Sequence, residues 1–294
     1  MDNRNIATFV KVVEFNNFTK AAESLGYSQA GVTAQIKSLE RELGVPLFDR
    51  LGKRICLTQE GRAFLPHALD LLKAEEEALA SVRADSELKG ELRICTGSSH
   101  AMGALPHILL EFIRLHPAVN IVVKISDFIE DTTLRLSRGE TDFLVYIDEA
   151  VTRHDHHVVA SKPEPVIFVT HPGSSLCTKK EVCIKEILLQ EPFIISDRDV
   201  SYCLLLEREL LRRGLEVRPV MEIGSVGGII NAMLEGYGVS YIPEFMAEKE
   251  LKQGQLVKLN VIDFDIPMYT HYVCSPERWI NPVMREFIRI VNQE

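Results

Sequence analysis

The feature that most constrains the fold is a regular alternation of strand-like and helix-like segments, which begins at Gly90 and continues to about residue 243. The strand-like runs are short and rich in Val, Ile and Phe: ELRICTG, VNIVVKI, TDFLVYI, PVIFVT, PFIIS and VSYIP. Between them lie amphipathic segments of helical period. Strands that alternate with helices form parallel sheets with helices on both faces. The pattern therefore predicts an α/β domain, long enough for two lobes with a cleft between them.

Length and composition exclude several classes of protein. A chain of 294 residues with 46% hydrophobic content can bury the cores of two or three domains. It has no apolar run long enough to span a bilayer, and its start, MDNRNIATFV, lacks a signal-peptide pattern. We therefore expect a soluble, cytoplasmic protein with no membrane partner. The six cysteines have no C-x-x-C spacing and are expected to be small buried residues in a reducing compartment.

The net charge of −9 is distributed unevenly along the chain. Residues 1–65 carry nine Lys and Arg against seven Asp and Glu, whereas residues 91–294 carry 21 against 29. Binding to a polyanion depends on local rather than total charge. The N-terminal segment is therefore the candidate for contact with nucleic acid, and the acidic remainder discourages non-specific binding elsewhere.

The first 65 residues predict three helices and a hairpin. A first helix ends at Asn16 and Asn17; Thr19 is the expected cap of a second, short helix that stops at Gly26. Ser28 then caps a third helix, which runs to Gly44. Two helices joined by so tight a turn form a helix-turn-helix, whose second helix enters the DNA major groove.

The third helix has two unlike faces. Val32, Ile36, Leu39 and Leu43 form a narrow apolar stripe for packing. The opposite face lacks the Glu and Lys pairs of ordinary exposed helices, which indicates a surface kept clear for a partner. Its residues are Ala30, Thr33, Ala34, Lys37 and Ser38.

Two further elements follow this helix. Short strand-like runs on either side of Leu51-Gly52-Lys53-Arg54 predict a hairpin with cations at its tip, either the wing of a winged helix or a solvated surface hairpin. A long helix is then expected from Thr58 to about Leu88, with a kink at Pro66. Its heptad of Leu65, Leu72 and Leu79 favours a two-helix dimer seam; the alternative is a core helix of a single domain.

The segment FTKAAESLGYSQAGVTAQIKSLERELGVPLFDRLGKRICLTQEG, from Phe18 to Gly61, resembles the LysR-type transcriptional regulators. The resemblance continues more weakly in ELRICTGSSHAMGALPHILLEFIRLHP and EIGSVGGIINAMLEGYGVSYIP. It implies a winged helix-turn-helix at 1–58 (motif 18–37), a dimerising linker helix at 59–89, and an effector domain at 90–294 like the periplasmic binding proteins. Lobe I would comprise about 90–163 and 267–294, and lobe II about 164–266.

The resemblance also implies partners. Family members form dimers and tetramers, bind dyad-symmetric DNA, and switch transcription when a small metabolite binds between the lobes, with RNA polymerase as a further partner. No cofactor, metal or enzymatic activity is implied. Gln29 and Thr33 stand where relatives touch bases, and Lys37, Arg50 and Arg54 suit phosphates. The expected DNA-binding set is completed by Ala30, Gln35 and Lys53.

Three turns are the candidates for the effector site. In TGSSHAMG, the N–H groups of Gly97, Ser98 and Ser99 precede a helix and favour an anion, although plain capping would use the same residues. His100 could add a donor or a positive charge. The resemblance implies that Ser196 and Tyr202 in SDRDVSY face this turn across the cleft. Ser225 in GSVGG belongs to a third turn.

Other readings remain open at this point. HDHH, residues 154–157, contains metal-ligand types but has no second cluster at a defined spacing. A thiol-based redox sensor would use Cys177, Cys183 and Cys203, although Cys203 falls in a helical pattern. A two-lobed enzyme lacks any G-x-S-x-G, P-loop or HExxH motif. A stand-alone solute-binding protein conflicts with the N-terminal helix-turn-helix.

Overall fold

A computed structural model describes residues 2–51, 54–82, 87–126, 129–150 and 156–293. The first elements are α1 (Asn3–Phe15), α2 (Phe18–Leu25), α3 (Gln29–Leu43), β1 (Phe48–Leu51), β2 (Arg54–Leu57) and α4 (Gln59–Val82). Helices α1 to α3 enclose a core that includes Ile6, Phe9, Val32 and Leu39. Strands β1 and β2 pair antiparallel as the expected hairpin. We call residues 2–57 the head.

Capping at the head follows the predicted chemistry with one exception. Gly26 ends α2 with a φ of 69°, and the Ser28 hydroxyl accepts the Gly31 N–H at 3.1 Å. The cap of α2 is Asn17 rather than the predicted Thr19. The Asn17 side-chain oxygen accepts the N–H groups of Thr19 and Lys20 at 2.8 and 3.1 Å, which places two otherwise unpaired donors on one acceptor.

Helix α4 differs from the predicted dimer seam. Leu65 and Leu72 are buried in the core of their own head, together with Ala68, whereas Leu79 is 46% exposed. A seven-residue repeat places side chains on one helix face but does not specify what that face packs against. Here the first two leucines of the repeat pack against the head, as in the core-helix alternative.

The remaining elements form two lobes. In chain order they are β3 (Gly90–Thr96), α5 (Ser98–Met102), α6 (Leu105–Leu115), β4 (Val119–Ile125), α7 (Ile129–Ser137), β5 (Phe143–Asp148), β6 (His157–Pro163), β7 (Val166–Thr170), α8 (Ile184–Gln190), β8 (Phe193–Ile195), α9 (Ser201–Arg212), β9 (Pro219–Glu222), α10 (Val226–Leu234), β10 (Val239–Pro243), α11 (Glu244–Lys252), β11 (Val257–Lys258), β12 (Tyr269–Cys274) and α12 (Pro282–Val291).

Each lobe contains one five-stranded sheet, with the orders β4-β3-β5-β12-β6 in lobe I and β11-β7-β10-β8-β9 in lobe II. The expected α/β class is confirmed, but the sheets are mixed rather than parallel. Strands β3, β4 and β5 are parallel, whereas β12 runs antiparallel to both β5 and β6. The reason is the connectivity: β6 ends where the chain leaves lobe I, and β12 begins where it returns.

The lobes have separate apolar cores. The tilted rings of Phe143 and Phe287 lie 5.0 Å apart between centroids in lobe I, and those of Phe168 and Tyr241 lie 4.7 Å apart in lobe II. The chain crosses between the lobes twice. The two crossing segments are joined by a hydrogen bond in which the Glu164 N–H donates to the Met268 carbonyl at 2.8 Å. Within the described ranges, no helix combines the length and apolarity that a bilayer crossing requires.

Candidate DNA-reading helix and interlobe cavity

Helix α3 presents the face that the sequence indicated. Val32, Ile36 and Leu39 are buried against the head, while the other side of the helix is open to solvent. The exposed residues of α3 are Gln29, Ala30, Ala34, Lys37 and Ser38, followed by Arg41 and Glu42 in its last turn. The half-buried Thr33 donates its hydroxyl to the Gln29 carbonyl at 2.9 Å, so what remains for a partner is chiefly its methyl group.

Gln35 lies apart from this face. Its side-chain oxygen accepts a hydrogen bond from the Thr8 hydroxyl at 2.7 Å, on the side of α3 that packs against α1. The structure therefore places Gln35 on the side of α3 that packs against α1 rather than on the exposed face with Gln29. Lys53 and the side chains of Arg50 and Arg54 lie outside the described part of the chain.

A cavity of about 60 Å³ lies between the lobes. Its floor is the carboxyl ends of β3, β4 and β5, three neighbouring parallel strands, which is where open α/β sheets place ligands. Its far wall is the start of α9 in lobe II. The lining residues are Gly97, Ser99, His100, Ser126, Thr132, Leu144, Val145, Tyr146, Ile147, Asp148, His156, Val200, Ser201 and Tyr202. None of these described lining residues is Lys or Arg.

Four of the predicted effector residues meet in this cavity: Gly97, Ser99, His100 and Tyr202. The other three do not line it. Ser98 occupies the same turn but lies outside the lining, and Ser196 is buried after β8. Ser225 acts as an ordinary cap, since its hydroxyl accepts the Gly228 N–H at 3.3 Å.

The charge and the hydrogen-bonding role of His100 differ most from expectation. Burial lowers the pKa of its imidazole to about 4, so the ring is neutral at physiological pH. Its Nε2 lies 2.9 Å from the Thr270 hydroxyl, and that hydroxyl donates to the Glu164 carboxylate at 2.9 Å. Because the Thr270 proton is used on Glu164, His100 Nε2–H is the donor to Thr270. This nitrogen is therefore neither a cation nor a donor to a ligand.

Six polar lining residues were not predicted: Ser126, Thr132, Tyr146, Asp148, Ser201 and His156. A signal was present for two of them, because Ser126 and Asp148 each directly follow a strand-like run. His156 belongs to the HDHH segment, of which residues 154 and 155 lie outside the described ranges. Among the described residues no group of three His, Cys, Asp or Glu could hold a metal ion.

The two lobes touch beside the cavity. Ser201, at the start of α9, donates its hydroxyl to the Ile147 carbonyl of β5. The next residue, Tyr202, is 2% exposed and belongs to the core of lobe II while it lines the cavity. A change in the angle between the lobes therefore changes the cavity.

The structure gives no support to the thiol-based redox alternative. Burial raises the pKa of the Cys203 thiol to about 12, and the pKa values of Cys177 and Cys183 are also raised, first by burial. All three are thiols rather than half-cystines. A reactive cysteine requires a lowered pKa and access to solvent, which is the reverse of what Cys203 has.

A winged head on a helix, followed by two lobes around a polar cavity, defines a ligand-responsive DNA-binding regulator. Comparison with known families agrees with this class. The family "LysR substrate binding domain" matches residues 85–294, and "Bacterial regulatory helix-turn-helix protein, lysR family" matches residues 3–62. The chain belongs to the LysR family of transcriptional regulators, which are not enzymes.

Individual relatives extend over the whole chain. The transcriptional regulator YwqM of Bacillus subtilis is 29% identical over 293 residues, covering 100% of this chain and 99% of that protein. CitR of the same organism is 29% identical over 277 residues and covers 94% of each. The solved structure of full-length BenM has a TM-score of 0.57 at 22% identity, covering 100% of this chain and 97% of that one. CbnR bound to its target DNA has a TM-score of 0.55 at 20% identity, covering 100% and 99%.

Proposed function

We propose that this regulator reads DNA with the exposed face of α3 and is switched by a small polar or anionic metabolite held between its lobes. The observation that carries the proposal is the cavity at the carboxyl ends of β3, β4 and β5, which α9 closes from the other lobe. The target is a dyad-symmetric, AT-rich site in double-stranded DNA, and the site of action is the cytoplasm, where that DNA lies.

The cavity favours recognition by neutral donors. Ser99, Ser126 and Thr132 bring hydroxyl groups to the lining, and His100 is neutral. Asp148 is the acidic residue of the described lining, so an anionic group fits only where it faces the hydroxyls and not Asp148. A carboxylate held there would be bound by hydroxyl and peptide N–H groups instead of by an ion pair. Hydrogen bonds to a charged acceptor are shorter and stronger than neutral ones, so such a site can retain an anion without a cationic side chain.

Switching follows from the position of the ligand between two bodies. A ligand that contacts both Ser99 in lobe I and Tyr202 in lobe II prefers one angle between the lobes. Binding then shifts the population toward that angle by the difference in affinity. In a homodimer or homotetramer the shift alters the spacing of the DNA-reading heads, and with it the contact to RNA polymerase.

The test begins with a thermal-shift screen of small metabolites on the full-length protein. With a ligand identified, calorimetry measures its affinity, and a DNA-binding assay measures its effect on DNA binding. Both compare the parent with Ser99→Ala and with Ser137→Ala, the latter at an exposed serine of lobe I outside the cavity. We expect Ser99→Ala to lose the ligand response of DNA binding while ligand-free DNA binding persists, and Ser137→Ala to behave as the parent. Equal affinity in all three proteins would place the effector site elsewhere.

A further inference from the structure

The head and lobe I share a buried cluster of charged side chains. Glu14 lies near the end of α1, Asp142 precedes β5, and Arg278 lies between β12 and α12. The Arg278 guanidinium contacts both carboxylates, Nη1 with Glu14 Oε1 and Nη2 with Asp142 Oδ1. The three side chains are 2–4% exposed. An arginine of lobe I thus contacts a carboxylate of the head.

Two further cations complete the cluster. Arg93 Nη2 lies 3.0 Å from Asp142 Oδ1, and the Arg93 N–H donates to Asp142 Oδ2 at 2.7 Å. Lys11 Nζ lies 2.8 Å from Glu14 Oε2. Burial lowers the pKa of Lys11 to about 8 and that of Arg278 to about 10, as expected for cations withdrawn from water.

The backbone also permits this close approach. Gly139 has a φ of +65°, and a Cβ there would meet the Glu14 carbonyl oxygen at 3.3 Å and Arg278 Nη1 at 3.4 Å. Glycine adopts this left-handed conformation without steric cost and leaves room for the head. The loop before β5 is therefore shaped to the end of α1.

Other contacts surround the cluster. Lys20 of α2 lies 3.4 Å from Glu140, and Arg285 of α12 lies 2.8 Å from Glu76 of α4. Trp279, next to Arg278, packs against the apolar core of the head. The exposed face of α3 takes no part in these contacts, so the head is held without covering the residues proposed to read DNA.

We propose that the Glu14–Arg278–Asp142 cluster docks the head on lobe I of the same chain, so that head and lobe I move as one body. A movement of lobe I relative to lobe II is then carried directly to α3. Removing one member of a buried ion pair leaves an uncompensated charge, so the docked state is lost as a unit instead of loosening gradually. This inference stands whether or not the effector site is the cavity described above.

Hydrogen exchange measured by mass spectrometry on the full-length protein tests the docking. The informative peptides cover residues 6–16 of the head and residues 138–142 and 275–281 of lobe I. We expect Arg278→Met and the near-isosteric Glu14→Gln each to speed exchange in both sets, on the order of tenfold or more. Arg289→Met is the matched control, because Arg289 is an exposed arginine of helix α12 whose ion pair, with Glu286, lies within that helix, and it should leave both sets unchanged.

Two comparisons decide the outcome. In a docked pair Glu14→Gln and Arg278→Met disrupt the same contact. The double variant should therefore speed exchange by less than the product of the factors measured for the two single variants. If Arg278→Met unfolds lobe I, Glu14→Gln still reports, because it changes the other domain. The proposal is overturned if Glu14→Gln speeds exchange in the head alone, if it changes neither set, or if Arg289→Met has the effect of Arg278→Met.

Discussion

His100 shows at the residue scale how burial decides chemistry. The same imidazole that could carry a positive charge in water is neutral here, with Nε2–H donating to Thr270. Its place in the cavity wall is therefore set by successive hydrogen bonds, from His100 to Thr270 and from Thr270 to Glu164, which lies where the polypeptide leaves lobe I. The imidazole links the cavity to the crossing between the lobes.

The first prediction concerns pH. An unfolded histidine binds its proton near pH 6.5, whereas folded His100 stays neutral down to about pH 4. In this window the unfolded chain binds more protons, so the free energy of unfolding falls as the pH falls, by about 3 kcal/mol in total. Urea unfolding should show this contribution in the parent and in the exposed control His107→Gln, and lack it in His100→Gln. An unchanged pH slope in His100→Gln would contradict the assignment.

The second prediction concerns thiol reactivity. Cys203 is 3% exposed with a raised pKa, whereas Cys56 is exposed. Brief alkylation of the native protein at mildly alkaline pH should label Cys56 and spare Cys203, because only the accessible thiolate reacts. Peptide mass spectrometry measures both sites, and unfolded protein provides the control in which both react. Rapid native labelling of Cys203 would revive the redox reading.

At the scale of elements, α3 and α4 show two uses of one amphipathic pattern. In α3 the polar face is left open, because Val32, Ile36 and Leu39 suffice to hold the helix on the head. In α4 the apolar stripe is divided: Leu65 and Leu72 pack inward, and Leu79 stays exposed. The exposed end of α4 lies beside a groove lined by Leu79, Leu88 and Trp279.

The third prediction tests α3. Gln29→Ala removes the amide that can pair with adenine, so it should relax base preference and cost about 1–3 kcal/mol on the preferred site. Lys37→Ala should instead weaken all sequences alike and reduce the salt dependence of binding. Binding assays over a salt series, on the protein's own upstream DNA and on random DNA, separate the two. If the parent does not prefer its upstream region, this reading of α3 fails.

The fourth prediction divides α4. Leu72→Ala creates a cavity in the head and should lower the free energy of unfolding by about 2–5 kcal/mol. Leu79→Ala removes a side chain that is 46% exposed and should change it by about 0.5 kcal/mol or less in the isolated chain. Denaturant unfolding measures both. A large loss for Leu79→Ala at low concentration would show that its exposure in the single chain is misleading.

At the scale of the whole molecule, three joints connect the parts. The chain crosses between the lobes twice, Ser201 bridges them beside the cavity, and the Glu14–Arg278–Asp142 cluster joins the head to lobe I. The Ser201 joint borders the cavity, the crossing is linked to it through Thr270 and His100, and the third joint leads to α3 through α1. The proposed ligand site and the proposed DNA-reading surface are therefore connected through packed elements within one chain.

The fifth prediction concerns assembly. We expect the dimer to form at the exposed end of α4, where Leu79 lies. Leu79→Glu should therefore yield a smaller species than the parent in light scattering. Its DNA affinity should be weak, because a single half-site binds weakly. Leu71→Glu, at a leucine of α4 that is 41% exposed but off the heptad, is the matched control and should assemble as the parent does. A monomeric parent at micromolar concentration would remove the basis for two-headed binding.

Features that depend on neighbours a few residues apart could be predicted from the amino-acid sequence. The caps at Gly26 and Ser28, the stripe of α3, the hairpin and the α/β alternation all follow from helical period and turn chemistry within one element. These interactions are present wherever the element forms, so a pattern suffices to predict them.

Which elements meet could not be predicted in this way, because it depends on contacts between distant parts of the chain. His100 and Thr270 are 170 residues apart, and Arg278 and Asp142 are 136 apart. Whether Leu72 faces its own head, whether β12 returns antiparallel, and whether His100 keeps its charge depend on what is packed against each of them. Desolvation and pairing are properties of that environment, and no local pattern specifies the environment, because it is assembled from segments distant in the chain.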